Sequence, residues 1–362
     1  MKLLRTQFAA LALLAALPWT FAAAAPPAAA LDLRAPWVRA APAEVEMDAA
    51  LLDAAAVRLQ AIPRARSLLV ARRGRLVVER YFGVDGTGVF DVRSVTKSVV
   101  SALTGIAVRA GRLGLDDSIA GHLSPPYLLD GADAAITPRH LLTMTSGFHW
   151  EENSGSGLDY NNWILNREHV QYLLDRPHVA APGAQFEYNS AAVHVLGAVL
   201  ERATGMPLPL YAQEQLFGPL AIEPVQWEAL EAGMVNGGSG IKLRGPDLLK
   251  LGQLYLQRGF SGETSIVPED WVAESALPQF PWRNRFGSQR GISYGLLWWT
   301  SDVEPAAFFA WGYGGQFIYV VPSLELVAVA TTDWRQTTAS EGSQLAQQVL
   351  SVIVDSVAPA AR

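Results

Sequence analysis

The chain has 362 residues, of which 50% are hydrophobic and 17% charged, a composition typical of a globular protein with a sizeable core. Its formal net charge is −6 and no basic cluster occurs along it, so nucleic acid is not an expected partner. The lack of cysteine excludes disulfides, a thiol nucleophile and cysteine-ligated zinc, and none of the six histidines falls in a metal-binding pair such as H-x-x-x-H.

The N-terminal 25 residues have the pattern of a signal peptide. Lys2 and Arg5 precede an apolar run at residues 8–17, and the small residues at 22–25 offer cleavage positions. We therefore expect an exported protein, periplasmic or secreted, with no membrane span after processing. The alternative is a retained membrane anchor, although the apolar run is shorter than the roughly 20 residues of a spanning helix.

The next part of the chain predicts an arm, a helix and a hairpin. Residues 26–46 are rich in alanine and proline, which favours a linker or a loosely packed arm. Residues 47–62 have the apolar spacing of a helix. Strands at 67–71 and 75–82 follow, joined by a turn at Arg73-Gly74.

Helices dominate the middle of the sequence. Residues 94–110 predict a buried helix. Further helical patterns occur at 137–148, 190–205 and 245–259. Between them, the polar segment 150–163 predicts a solvated surface loop. Its three acidic residues also allow a glycosidase carboxylate pair, but the solvated loop is the interpretation that we prefer.

The C-terminal part returns to strands. Residues 294–301, 306–323 and 324–334 predict consecutive antiparallel strands, and a helix follows at about 340–357. Because strands open and close the chain, we expect one antiparallel sheet built from both ends and flanked by terminal helices.

This pattern predicts an α+β protein with a helical domain inserted into a sheet domain. We assign residues 47–110 and 236–362 to the sheet domain, which includes the helix after Ser94. Residues 111–235 form the mainly helical domain.

Ser94 and Lys97 are candidate catalytic residues. Lys97 is one of only four lysines and lies in a run of valines, where burial lowers the pKa of an amine. Its spacing places it on the same helical face as Ser94. A neutral lysine can take the proton of a serine hydroxyl, whereas an arginine cannot. The alternative is a serine that caps the helix and a lysine that extends to solvent.

Two further stretches carry candidate site residues. Tyr188 lies in a polar turn before a helix, where its phenol can relay a proton, although a packed aromatic side chain is the alternative. Gly312, Gly314 and Gly315 interrupt a hydrophobic strand, which indicates a bulge or the close approach of another group, such as a substrate against the strand edge.

In this order, the stretches at 94–97, 188–190 and 313–315 resemble those of the serine β-lactamase and penicillin-binding-protein superfamily. Within it, the chain looks most similar to class C β-lactamase-like hydrolases, which include esterases, D-amino-acid peptidases and 6-aminohexanoate-dimer hydrolases. The resemblance covers about 45–335 and includes "LLTMTSGF" and "NGGSGIKL". It implies a β-lactamase/transpeptidase-like fold and a mechanism without cofactor or metal.

The resemblance also implies roles for individual residues. Ser94 is similar to the acylated nucleophile, Lys97 to its base and Tyr188 to the tyrosine that passes a proton to the leaving group. The backbone N–H groups of Ser94 and Gln316 would form the oxyanion hole.

The sequence departs from the family pattern at two positions. Ser190 stands where the Y-x-N motif has asparagine, and Asn189, one place earlier, does not take over that role. Tyr313-Gly314-Gly315 replaces K-T-G, so the cation that holds a β-lactam carboxylate is missing and β-lactam recognition should be poor. We assign Ser190, Tyr313, Gly314 and Gly315 to substrate binding.

Tryptophans near the third motif have two interpretations. Trp298, Trp299 and Trp311 either line an apolar acyl pocket or belong to the core.

The predicted function is an exported serine hydrolase that cleaves a small ester or linear amide through a covalent acyl-enzyme. No serine lies in a G-x-S-x-G elbow, which excludes the α/β-hydrolase arrangement. The alternatives are a β-lactamase or DD-peptidase acting on β-lactams or peptidoglycan peptides, and a non-catalytic homologue that binds peptidoglycan or peptides. The sequence indicates neither the acyl group nor the oligomeric state.

Overall fold

A computed structural model of the chain describes residues 30–152, 157–230 and 233–362. The predicted signal peptide lies outside these residues. The strands of the described part are β1 (Ala65–Arg72), β2 (Arg75–Tyr81), β3 (Phe90–Asp91), β4 (Gln226–Trp227), β5 (Ile241–Leu243), β6 (Phe260–Ser261), β7 (Thr264–Ser265), β8 (Phe280–Phe286), β9 (Gln289–Tyr294), β10 (Trp299–Ser301), β11 (Ala307–Gly312), β12 (Gln316–Val321) and β13 (Leu326–Thr332).

Eight strands form one antiparallel sheet in the order β2-β1-β13-β12-β11-β10-β9-β8. The N-terminal hairpin β1–β2 pairs with the last strand β13, so the sheet joins the two ends of the chain as predicted. The strands β3, β5 and β4 form a second, three-stranded sheet beside the start of the Ser94 helix.

The helices of the described part are α1 (Ala49–Gln60), α2 (Val95–Arg109), α3 (Ala120–Leu123), α4 (Pro138–Leu142), α5 (Leu158–Ile164), α6 (His169–Leu174), α7 (Ser190–Thr204), α8 (Leu208–Ala212), α9 (Gly245–Leu256), α10 (Glu269–Ser275) and α11 (Ala339–Val352). Short 3₁₀ or π turns extend α8 and α11. None of the helices in the described ranges is long and apolar enough to cross a membrane.

Helices cover both faces of the large sheet. The missing side chain of Gly252 lets α9 pack closely on Ile318 and Val327. Thr332 points to the opposite face, because it lies at an odd spacing from Val327 along β13. There it approaches the hairpin glycine Gly315, which packs against α11. Strand β13 is therefore buried on both sides, which explains its continuous apolar sequence.

Helix α2 is the central element between the sheet and the helical region. Every residue from Val95 to Ala107 is buried, since α2 packs against β11, α7 and α10. Gly105 allows the indole of Trp271 to lie directly against the helix backbone. The residues before α2 are thereby held where the sheet and the helical region meet.

Three predictions about local structure are corrected. The arm before α1 is not loose within its described part: Leu33 and Val45 are buried, and the Leu33 N–H donates to the Ser261 hydroxyl at 2.9 Å. The segment 306–323 is not one strand but the hairpin β11–β12. Its turn requires the left-handed backbone of Gly314 and Gly315, whose φ angles are 76° and 99°.

The third correction concerns the segment predicted as a solvated loop. Its second half is helix α5, and Trp163 is fully buried. Asp159 is also buried, and its carboxylate is satisfied there by a hydrogen bond from the Arg176 guanidinium at 2.7 Å. Polar composition alone gave the wrong prediction here, since the acidic side chains have partners that are distant in sequence.

Candidate active site

Ser94 stands at the N-terminus of α2, directly after a left-handed residue. Arg93 has a φ of 49°, a costly conformation for a residue with a side chain. The Asp91 carboxylate fixes this turn by accepting from the Arg93 backbone N–H at 3.1 Å. The Ser94 side chain makes no capping hydrogen bond, which rules out the helix-cap alternative. Its hydroxyl is instead directed towards the interior of the site.

Lys97 is buried and does not extend to solvent. Its side-chain nitrogen Nζ lies 2.9 Å from Ser94 Oγ, 2.7 Å from Ser190 Oγ and 2.7 Å from the Gly238 carbonyl oxygen. Burial lowers the pKa of Lys97 to about 7; the charge of Arg93 also lowers it, whereas Glu152 raises it. A substantial fraction of Lys97 is therefore neutral near neutral pH.

A carboxylate stands behind Ser190. Glu152 accepts from the Ser190 hydroxyl at 2.5 Å and from the Ser190 backbone N–H at 2.7 Å. The Trp150 indole N–H donates to the same carboxylate at 2.9 Å. These three donors hold Glu152 in one position. In the short contact, the Ser190 hydroxyl donates its hydrogen bond to the Glu152 carboxylate.

This network fixes the direction of the hydrogen bonds around a neutral Lys97. The Gly238 carbonyl can only accept, and Ser190 must accept because its own proton is committed to Glu152. A neutral amine has two protons to donate and one lone pair. With both protons used, the lone pair faces Ser94, which is the arrangement that a general base requires.

Tyr188 completes the group of reactive side chains. It is buried and stacks on Trp299 with ring centroids 5.7 Å apart. The Lys97 nitrogen lies 4.9 Å from the centre of its ring. Burial raises the pKa of Tyr188 far above its usual value, and the negative charge of Glu152 raises it further. Tyr188 is therefore neutral and able to carry a proton between its neighbours.

The β11–β12 hairpin lies beside the nucleophile. A side chain at Gly312 would collide with the Val92 carbonyl oxygen, so only glycine allows this close approach. Gln316 pairs with Gly312 at the start of β12, and its side chain is tied to Thr332 at 2.7 Å. None of the described residues accepts a hydrogen bond from the Ser94 backbone N–H.

A cavity of about 400 Å³ opens at Ser94. One part of its wall is aromatic, with Trp299 and Trp311 beside Tyr188. Trp298 instead packs into the core against Tyr255, with ring centroids 4.4 Å apart. Trp299 and Trp311 therefore line the cavity, whereas Trp298 belongs to the core.

The residues assigned to substrate binding are only partly at the cavity. Tyr313 lines it, but its hydroxyl donates to the Thr338 carbonyl at 2.7 Å. Gly314 lies against Trp334, and Gly315 lies against α11. These two glycines therefore make room for neighbouring parts of the protein. Ser190 is buried behind Lys97 and does not line the cavity; its hydroxyl contacts Lys97 and Glu152.

Three residues of the site were missed in the sequence. Glu152 was placed in a solvated segment, and only its contact with Ser190 reveals its position. Gly238 belongs to the stretch "NGGSGIKL", and a side chain at this position would collide with the Ser190 carbonyl. Arg93 lines the cavity next to Ser94, and its position directly before the nucleophile was the available signal.

Comparison with known proteins connects this geometry to a family. The model of the Beta-lactamase family matches residues 52–351. Esterase EstB of Burkholderia gladioli is 34% identical over 209 residues, covering 50% of this chain and 53% of EstB. Protein flp of Staphylococcus aureus (strain MW2) is 25% identical over 194 residues, covering 49% of this chain and 38% of flp. The matches thus span about half the length of these relatives or less.

Solved structures share the fold over most of the chain. A Bacillus anthracis protein assigned as a 6-aminohexanoate-dimer hydrolase aligns with a TM-score of 0.71 and 19% identity, covering 92% of this chain and 89% of that one. EstCE1, a hydrolase with promiscuous acyltransferase activity, aligns with a TM-score of 0.66 and 19% identity, covering 82% and 98%. The predicted β-lactamase/transpeptidase-like α+β fold is confirmed.

Proposed function

The chain belongs to the Beta-lactamase family, and from that premise we propose that it is an exported serine hydrolase that cleaves an ester or a linear amide. The observation that carries the proposal is the contact of Lys97 Nζ with Ser94 Oγ at 2.9 Å, in a network that leaves the amine lone pair facing the serine. The likeness to an esterase over half the chain supports the same reaction class. The signal-peptide pattern of the first 25 residues supports export.

The first half of the proposed reaction forms the acyl-enzyme. Lys97 takes the Ser94 proton as the serine oxygen bonds to the substrate carbonyl carbon, and the carbonyl electron pair moves onto its oxygen. The Ser94 and Gln316 backbone N–H groups would stabilise this oxyanion, each contributing roughly 3 kcal/mol in comparable sites. The unpaired Ser94 N–H and the glycine-dependent approach of the hairpin support this assignment.

The second half releases the products. As the tetrahedral intermediate collapses, the leaving alcohol or amine takes a proton from Tyr188, which regains one from Lys97. A water molecule then attacks the Ser94 ester with Lys97 again as base, and the acid is released with the serine restored. Tyr188 suits this relay because it is neutral, lines the cavity together with Ser94, and has the Lys97 nitrogen 4.9 Å from the centre of its ring.

The cavity favours small substrates with an apolar part. Trp299 and Trp311 present aromatic surface beside the reacting serine. Tyr313, which replaces the family's lysine, is a neutral group whose hydroxyl is already bonded to Thr338. The hairpin therefore supplies no cation where the family's lysine holds a β-lactam carboxylate, so a substrate carboxylate would have to bind elsewhere in the cavity.

A substrate panel tests the proposal. It comprises p-nitrophenyl esters of increasing chain length, a linear 6-aminohexanoate dimer, a D-Ala-D-Ala peptide and nitrocefin, with Ser94→Ala as the blank. An ester or the linear amide should have the highest kcat/KM. If nitrocefin or the peptide does, the β-lactamase or DD-peptidase alternative replaces the proposal. Failure of a serine-directed phosphonate to label Ser94 would support the non-catalytic alternative.

A further inference from the structure

Arg93 places a fixed positive charge in the cavity wall beside the nucleophile. Its guanidinium carbon lies 4.3 Å from the centre of the Trp334 ring, a cation–π contact, and one terminal nitrogen donates to the Tyr160 hydroxyl at 2.9 Å. All three side chains line the same cavity as Ser94. The charge is therefore held in one orientation within reach of a small substrate bound at the serine.

This guanidinium is incompletely paired. Its Nε is buried and has no hydrogen-bond partner among the described residues. No carboxylate of the described residues lies within ion-pair distance of it; Asp91 and Glu228 act on it only through longer-range electrostatics. Glu152, the acidic group lining the cavity, is already engaged by Ser190 and Trp150. A partly buried guanidinium without a counter-ion is incompletely stabilised, and a carboxylate is the group that matches its planar donors.

We propose that Arg93, with Tyr160 and Trp334, forms a carboxylate-binding subsite, so that the preferred substrates are esters or linear amides bearing a carboxylate near the scissile bond. The inference rests on the proposed function, since it takes Ser94 as the reacting residue. The carboxylate can belong to the acyl chain or to the leaving group. Trp299 and Trp311 then contact the apolar remainder of the substrate.

Two matched substrate pairs test this subsite. The acyl pair is mono-4-nitrophenyl glutarate and 4-nitrophenyl valerate; the leaving-group pair is 4-butyryloxybenzoate and its methyl ester. For one of the two pairs, we compare the ratio of kcat/KM for the carboxylate member to kcat/KM for the neutral member. At low ionic strength, this ratio should be about tenfold higher in the native enzyme than in Arg93→Gln, as expected for a charge-assisted contact. The pair that responds identifies the side on which the carboxylate binds.

The ratio within a pair separates this role from another effect of Arg93. Its charge also lowers the pKa of Lys97, so Arg93→Gln should change the pH profile of both members alike. Arg93→Lys should keep part of the preference, because it keeps the charge but loses the planar fork. Arg112→Gln, which removes an exposed arginine elsewhere, is the matched control and should leave the ratio unchanged.

The outcomes distinguish this inference from the proposed function. If both members of each pair are hydrolysed and Arg93→Gln changes neither ratio, the subsite is refuted while the hydrolase proposal stands. If no ester is hydrolysed and Ser94 resists phosphonate labelling, the proposed function itself fails. Should Arg93→Gln not fold, the native ratio is measured from about 10 mM to about 500 mM salt; a preference that does not fall with screening refutes the subsite.

Discussion

The side-chain nitrogen of Lys97 lies 2.7 Å from the hydroxyl oxygen of Ser190, and that hydroxyl is itself bonded to Glu152 at 2.5 Å. Because the Ser190 hydroxyl donates its hydrogen bond to the carboxylate, it can only accept a hydrogen bond from Lys97. The serine that replaces the asparagine of the family motif therefore acts together with an acidic residue from a distant loop. The pair orients the amine and leaves its lone pair for Ser94.

Replacement of Lys97 by arginine should abolish turnover while the protein still folds. Both side chains carry a positive charge, but arginine cannot release a proton at accessible pH. Loss of one member of a nucleophile–base pair typically lowers kcat by several orders of magnitude. The measurement is kcat/KM for a p-nitrophenyl ester, with circular dichroism to establish folding. A folded variant with a tenth or more of the native rate refutes the base assignment.

Ser190→Ala should reduce kcat/KM by about tenfold to a hundredfold, because it removes a hydrogen bond that orients a buried amine. Ser190→Asn, which restores the family's residue, should recover a large part of the loss. Steady-state kinetics of both variants decide this. Equal activity of the alanine variant and the native enzyme would show that Ser190 does not position Lys97.

Glu152→Gln should move the ascending limb of the pH–rate profile to lower pH. The Glu152 charge raises the pKa of Lys97, so its removal lets the lysine lose its proton more easily. The profile of kcat/KM between pH 5 and 9 reports this pKa for the free enzyme. Glu151→Gln, an exposed neighbour, is the matched control. A shift to higher pH, or the same shift in both variants, contradicts the network.

Tyr188→Phe should affect substrates according to their leaving group. The phenylalanine keeps the stacking on Trp299 but cannot pass on a proton. p-Nitrophenolate leaves without protonation, so a p-nitrophenyl ester should lose much less activity than an ethyl ester or an anilide of the same acid. Comparison of kcat/KM across these three substrates measures the difference. A uniform loss would assign Tyr188 to another role.

The sequence predicted the elements whose formation depends on local pattern. Helix α2, the capped helix α7 ending at Gly205 and the β1–β2 hairpin follow from apolar period and from turn residues, and the structure confirms them. The contact of Ser94 with Lys97 also follows from the geometry of one helix turn.

The missed features depend on contacts between distant parts of the chain. Glu152 and Ser190 are 38 residues apart, and nothing in the polar composition around Glu152 indicates that its carboxylate enters the site. The hydroxyl of Tyr313 was expected at the substrate, but the hairpin turn directs it to Thr338 at the start of α11. Such pairings require the packed fold and cannot be deduced from local pattern.

The most direct test of the account is the pH dependence of Ser94 acylation itself. A serine-directed phosphonate is reacted with the native enzyme from pH 5 to 9, and adduct formation is followed by intact mass and located by peptide mapping. Because Lys97 acts as a base only when neutral and its pKa lies at about 7, the labelling rate should rise with pH and level off above about 8. The adduct should lie on Ser94, and Lys97→Arg should show almost none. An adduct on another residue, or a rate independent of pH in this range, would contradict the assignment of Lys97 and Ser94.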